Sequence, residues 1–143
     1  SPRDLESSRT CLSTCAVERI NIVIVLDTWA WVHYWQGDMR VHPFFEGTEH
    51  LITSVITIAE LERHNTGNPT KMEEMLLEIR QRSRIVPIDI SIARLAGGVR
   101  STMKEGGIAD ALIIATAMKN RAKVLTGDPH FKIFPGVIFI DDT

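Results

Sequence analysis

Apolar positions along this chain gather into short runs and stripes whose spacing predicts an alternation of strands and helices. Ile22-Val23-Ile24-Val25-Leu26 is an unbroken, mostly β-branched run, the pattern of a strand buried on both faces as in a parallel sheet. Asp27 ends the run, and Thr28 to Gln36 predicts a short helix before Gly37. A second strand fits Leu51 to Ser54, followed by a helix that starts near Thr57 and fades into the turn cluster Asn65-Thr66-Gly67-Asn68-Pro69. Met72, Met75, Leu76 and Ile79 fall at i, i+3, i+4 and i+7, which predicts a helix over Lys71–Arg80. Ile85 to Ile88 reads as a third strand, and its Pro87 argues for an edge position. A short helix is expected over Ser91–Val99 and a break at Gly106-Gly107. Ile108 to Asn120 is apolar nearly all round, so that helix is expected to be buried. Lys123–Thr126 and Val137–Ile140 complete five strands. The fold class that follows is α/β, a three-layer α/β/α sandwich around a mostly parallel sheet of about five strands.

The chain has 143 residues, a one-domain length that supports a core without disulfide or metal staples. Residues 1–20 are rich in Ser, Arg and Glu and show neither period. They are expected to form a mobile extension, or to reflect a start-site artefact, ahead of a domain over 21–143. Cys11 and Cys15 both lie in that leader, with no second pair at zinc-site spacing, and are expected to be plain thiols. No apolar run approaches the roughly 20 residues of a membrane helix, and the leader lacks an apolar stretch of signal-peptide length. A cytoplasmic location without membrane contact is the expectation. The net charge of −2 does not announce a nucleic-acid binder, so any basic surface must be local.

Four acids fall at telling places. Asp27 follows strand one, and Asp128 stands two residues after strand four in Thr126-Gly127-Asp128-Pro129. Glu60 is expected in the first turn of the helix after strand two, and Asp110 in the first turn of the helix before strand four. Ligands of open parallel sheets bind at the carboxyl ends of the strands, so a parallel sheet lets all four converge on one edge. Each also has a purely structural explanation. Thr57-Ile58-Ala59-Glu60 matches a capping box, Asp128-Pro129 an N-cap with proline at the first helical position, and Asp27 and Asp110 helix starts. Taken together they point further. Asp110 stands within Ile108-Ala109-Asp110-Ala111-Leu112-Ile113-Ile114 and Asp27 follows five apolar residues, settings where an unpaired charge is costly. Clustered carboxylates repel one another, and an oxygen-only site suits a hard cation such as Mg2+ or Mn2+.

On these residues the chain resembles the PIN-domain nucleases. Ile22–Trp29, Ser54–Glu60, Ala109–Ala117 and Leu125–Phe131 match the family's four acidic motifs in order, over Asn21 to about Ile140. The resemblance implies that Asp27, Glu60, Asp110 and Asp128 hold one or two divalent ions, and that Thr126 hydrogen-bonds a carboxylate beside them. It implies an Mg2+- or Mn2+-dependent endoribonuclease that leaves a 5′-phosphate and a free 3′-hydroxyl. Members of this family include VapC-type toxins paired with small antitoxins, as well as RNA-processing nucleases. Many small members form homodimers, so single-stranded RNA, a second copy and an antitoxin are the implied partners. Many relatives carry another acid two residues after the Asp128 position. This chain has His130 there, which leaves a second ion less well provided for; a histidine at that place could bind metal or phosphate, but His130 is expected to be an exposed turn residue.

Substrate contacts are harder to place. Arg80, Arg82 and Arg84 cluster near one helix end and are candidates for an RNA phosphate rail, or for a solvated helix terminus. Trp29, Trp31, Tyr34 and Trp35 are expected in core or dimer packing. His33, His42, His50 and His64 show no ligand spacing. A haloacid-dehalogenase-type phosphoryl transferase would need an aspartate where Trp29 stands. A receiver domain with Asp89 as phospho-acceptor would need an acidic pair at strand one and a lysine after strand five, and has neither. A non-catalytic scaffold that binds RNA or protein through the same fold is the remaining contrast.

Overall fold

The computed structural model describes residues 22–47 and 49–141. The extension expected over 1–20, with Cys11 and Cys15, lies outside them. Five strands form one sheet in the order β3-β2-β1-β4-β5: β1 Val23–Leu26, β2 His50–Ser54, β3 Arg84–Val86, β4 Lys123–Thr126 and β5 Val137–Phe139. Every neighbouring pair is parallel, with Val25 opposite both Ile52 and Val124. The expected edge strand is at the edge, and Pro87 lies one residue past its end, where no ladder bond is lost.

Side-chain alternation along β1 sends its residues to two cores. Ile24 and Leu26 pack with Leu51, Leu125 and the first four helices; Val25 packs with Ile52, Val86, Val124 and residues of the last helix. Those helices are α1 Thr28–Trp35, α2 His42–Phe45, α3 Val55–His64, α4 Pro69–Arg82, α5 Ile90–Thr102 and α6 Ile108–Lys119. The sandwich is therefore three-layered, as the pattern predicts.

Several boundaries move for physical reasons. Helix α3 begins at Val55 rather than near Thr57, because the Ser54 hydroxyl accepts from the Ile56 amide and caps it. Helix α4 begins earlier than Lys71, at Pro69, where Asn68 caps the Lys71 amide and proline occupies the first turn. Helix α5 runs through Gly97-Gly98 to Thr102, since contacts with α6 outweigh the weak helix preference of glycine. Helix α2 carries no periodic signal in four residues; it exists because Phe45 is buried against Trp31. Helix α6 is buried through Ala111 and Ile113–Ala117, but Ile108 and Met118 at its ends are exposed.

Candidate active site

The chain runs outward from β1 to β2 and β3, then returns to the other side for β4 and β5. The carboxyl ends of β1 and β4 therefore flank the point where the winding direction reverses, the natural crevice of an open parallel sheet. Asp27 leaves β1 there and Asp128 follows β4. Asp110 in the first turn of α6 and Glu60 in the second turn of α3 reach the same place. A pocket of about 210 Å³ is lined by all four acids together with Thr28, Trp29, Ile113 and Phe131.

The acids differ in setting. Asp27 is the buried one, 4% exposed, and its Oδ1 accepts from the Ala30 amide at 2.8 Å as the N-cap of α1. Burial pushes its pKa up to about 7, helped by the nearby charges of Asp128 and Glu60, while the Thr126 hydroxyl and the Ala30 amide pull the other way. Thr126 thus bonds the Asp27 carboxyl, and its Oγ1 also accepts from the Asp128 amide at 3.0 Å. One hydroxyl ties the two strand ends together.

Asp110 is not held in the core as its flanking residues led us to expect. Only the residues after it turn inward; its own side chain is 19% exposed, and Oδ2 accepts from the Gly107 amide at 3.1 Å across the helix start. Asp128 caps the short 3₁₀ turn Pro129–Phe131, accepting from the His130 amide at 3.0 Å. These capping bonds each use a single oxygen, so capping and a place in the pocket are compatible.

Glu60 is corrected in the opposite direction. With α3 starting at Val55, Thr57 and Glu60 do not form a capping box; Thr57 is buried with an unpaired hydroxyl, and Glu60 is a turn further on. What holds Glu60 is Thr28, whose Oγ1 donates to its Oε1 at 2.6 Å from the first residue of α1.

His130 is also more than a turn residue. Its Nδ1 stands 3.1 Å from Asp110 Oδ2 and 3.5 Å from Asp128 Oδ1. One donor atom from each of these three residues falls within 4.8 Å of the others, a grouping suited to a cation. The only sequence signal was its place two residues beyond Asp128. Trp29 is a further pocket residue that pattern reading put elsewhere. Trp31 and Trp35 do pack internally, with Trp31 fully buried and bonding Thr53 and Trp35 bonding Glu78. Trp29 instead lies across the backbone of Gly127 and stacks on His33.

The arginine cluster does not join the acids. Helix α4 leads into the amino end of β3, two strands away from β1, and none of Arg80, Arg82 and Arg84 lines the acidic pocket. Arg82 is held there by Glu78 and Glu46, each at 2.9 Å, with its guanidinium over the Tyr34 ring.

A family model for the PIN domain matches residues 24–137. The chain belongs to the PIN domain family. No match is found among curated proteins. Among solved structures, the PIN fold of this chain is similar to a toxin–antitoxin complex from Klebsiella pneumoniae, with 23% identity, 80% of this chain and 95% of that one covered, and a TM-score of 0.68. It is similar to FitAcB from Neisseria gonorrhoeae, at 29% identity over 73% of this chain and 87% of that one, with a TM-score of 0.58. It is also similar to Mycobacterium tuberculosis VapC20, described as a sarcin–ricin loop cleaving toxin. There the identity is 18% over 76% of this chain and 92% of that one, with a TM-score of 0.62. Among the described residues no helix is long and apolar enough to cross a membrane.

Proposed function

We propose that this chain is a divalent-metal-dependent endoribonuclease acting as the toxin of a toxin–antitoxin pair. The observation that carries the proposal is the meeting of Asp27, Glu60, Asp110 and Asp128 in one pocket at the reversal point of the sheet. The donor set fits a hard cation: carboxylate oxygens, one of them on a side chain whose charge is disfavoured by burial and then by its acidic neighbours. Mg2+ or Mn2+ would be held by these four acids. When bound, such an ion polarises a phosphate and brings the pKa of a coordinated water toward neutrality.

The chain's own residues supply the rest. Thr28 holds Glu60 and Thr126 holds Asp27, so the carboxylates are oriented before any ligand arrives. Asp128 or Glu60 would orient the attacking water in line with the leaving 3′ oxygen. The pocket, at about 210 Å³, is small beside an ordinary ligand cleft, so a phosphodiester would occupy it and the bases of a single-stranded RNA would lie outside it. Similarity to a toxin–antitoxin complex and to a loop-cleaving toxin supports the toxin role. A homodimer inhibited by a small antitoxin is the assembly we infer.

The test is cleavage of single-stranded RNA by the parent and by Asp27→Asn in Mg2+ and in Mn2+. We expect the substitution to lower the rate beyond the 10–100-fold typical of groups that merely orient metal ligands. Undiminished cleavage by Asp27→Asn overturns the site. RNA binding by the parent without cleavage in either ion favours a non-catalytic scaffold. Induced expression addresses the biological role: growth arrest relieved by Asp27→Ala supports a toxin, and indifference supports an RNA-processing enzyme.

A further inference from the structure

We propose that His130 is a nitrogen donor in the pocket's cation site, so that this chain favours transition-metal ions over Mg2+ more strongly than an all-carboxylate site would. The inference rests on the acidic pocket being a metal site. It concerns which ion that site selects.

Three observations converge on it. The first is spacing. Nδ1 of His130 lies 3.1 Å from Asp110 Oδ2 and 3.5 Å from Asp128 Oδ1. Neighbouring vertices of an octahedron with ligand bonds of roughly 2.1 Å are about 3 Å apart, so these atoms already sit at the separations of adjacent ligands on one ion. A proton on Nδ1 can be directed well at only one of the two oxygens, whereas a cation between the three serves every donor.

The second is that the backbone carrying the ring is fixed in place. Pro129 sets the start of the 3₁₀ turn, the His130 amide is bonded to Asp128, and Phe131 is buried at 2% exposure. Asp110 is likewise fixed by the Gly107 amide. The third is the backbone opposite. Gly106 has φ +96°, and a Cβ there would stand 2.8 Å from Asp110 Oδ2 and 3.5 Å from the His130 Cβ. A side chain at that position would fill the space beside the two donors, and glycine keeps it clear.

Imidazole suits borderline ions of the later transition series, and carboxylate with water suits Mg2+ and Mn2+. Replacing an oxygen donor by a ring nitrogen therefore shifts relative affinity toward Co2+ at the expense of Mg2+, with Mn2+ between the two. His130 is 41% exposed by its side chain, so substitutions there are compatible with the fold.

The experiment uses the full chain freed of metal by a chelator. Affinities for Mn2+, Co2+ and Mg2+ are measured calorimetrically for the parent, His130→Asn and His130→Asp, and the Mn2+-loaded proteins are examined by pulsed electron paramagnetic resonance. We expect nitrogen-14 coupling to Mn2+ in the parent and its loss in His130→Asn. We also expect the Co2+ preference over Mg2+ to fall about tenfold in His130→Asn, with a smaller fall for Mn2+, and Mg2+ affinity to rise in His130→Asp. Mn2+ bound without nitrogen coupling, or a preference untouched by His130→Asn, overturns the inference. The two readings fail separately. RNA cleavage in Mn2+ with no nitrogen coupling sinks the His130 assignment and leaves the ribonuclease standing. Nitrogen coupling without cleavage supports His130 and sinks the ribonuclease. No binding of any of the three ions overturns both.

Discussion

At Asp27 one carboxyl group caps a helix and also forms the floor of an acidic pocket, and the conflict between those settings has a measurable consequence. Its pKa stands near 7 in the folded chain because burial, then Asp128 and Glu60, disfavour the charge; in the unfolded chain it returns to about 3.8. Between those values the folded state holds a proton that the unfolded state has released. The stability contributed by protonated Asp27 is therefore complete below about pH 4 and is lost as pH rises through about 7. The ion-free protein should melt at lower temperature at pH 8 than at pH 5.5. Asp27→Asn keeps a good capping side chain but carries no charge, so it should flatten that slope and raise the pH 8 melting temperature by several degrees. The underlying energy is at most about 4 kcal/mol at 1.36 kcal/mol per pKa unit. Millimolar Mn2+ at pH 8 should recover the difference for the parent and not for the variant. Identical slopes in parent and variant would refute the buried-charge account. Glu60 allows a similar separation of roles. Thr28→Val removes the 2.6 Å bond to Glu60 at almost constant shape. If that bond orients a ligand, metal affinity falls about 10–100-fold with little change in melting temperature; if it only clasps α1 to α3, the stability falls and the affinity does not.

At the scale of elements, the site depends on how closely the β4 exit can approach the start of α1. A Cβ at Gly127 would fall 2.2 Å from the Trp29 ring, so the strap Thr126-Gly127-Asp128 can pass beneath that ring only without a side chain. Gly127→Ala should cost about 1–3 kcal/mol in denaturant unfolding and should move Asp128 relative to Asp27. In a Trp29→Ala background the same substitution should cost much less, a coupling readable from a double-mutant cycle; additive effects would show that the strap has slack. Such contacts mark the limit of pattern reading. The β1 run, the Met72–Ile79 stripe and the acids at strand ends follow from local periodicity and the geometry of parallel sheets, and the predicted fold rests on them. The partners Thr28–Glu60 and Asp110–His130 are 32 and 20 residues apart and carry no local signal. Asp110 misled for a related reason. Its apolar neighbours were correctly read as facing the core, but a residue at the third position of a helix turns its side chain back to the helix start and away from that core. Glu60 misled because Ser54 competes with Thr57 for the cap, and a shift of the cap by three residues dissolves the capping box.

Across the whole molecule, the arginine cluster stands apart from the acidic pocket, which bears on how a chain of net charge −2 would hold a polyanion. Helix α4 must run back toward the amino ends of the strands before β3 starts, and β3 is two strands from β1, so the end of α4 with Arg80 and Arg82, and Arg84 at the start of β3, lie away from the acids. Arg82 is committed further by Glu46, Glu78 and the Tyr34 ring. The turn between α5 and α6 has the opposite placement. Gly106 lies against Asp110 and His130, and Arg100 at the end of α5 donates to the Met103 carbonyl, so Arg100 and Lys104 are on the acid side. Phosphates flanking the cleaved bond would meet these cations before they met the cluster. Neutralising a cation that contacts phosphate lowers the slope of log affinity against log salt by about one, whereas a cation remote from the nucleic acid leaves the slope alone. Single-stranded RNA binding, measured with catalysis blocked by Asp27→Asn, should therefore lose about one unit of slope in Lys104→Gln. The Arg80→Gln/Arg84→Gln double variant should match its background. The reverse pattern would mean that RNA crosses the amino edge of the sheet, and that a bound chain must wrap around the domain, or reach a second copy, to present its backbone to the acids.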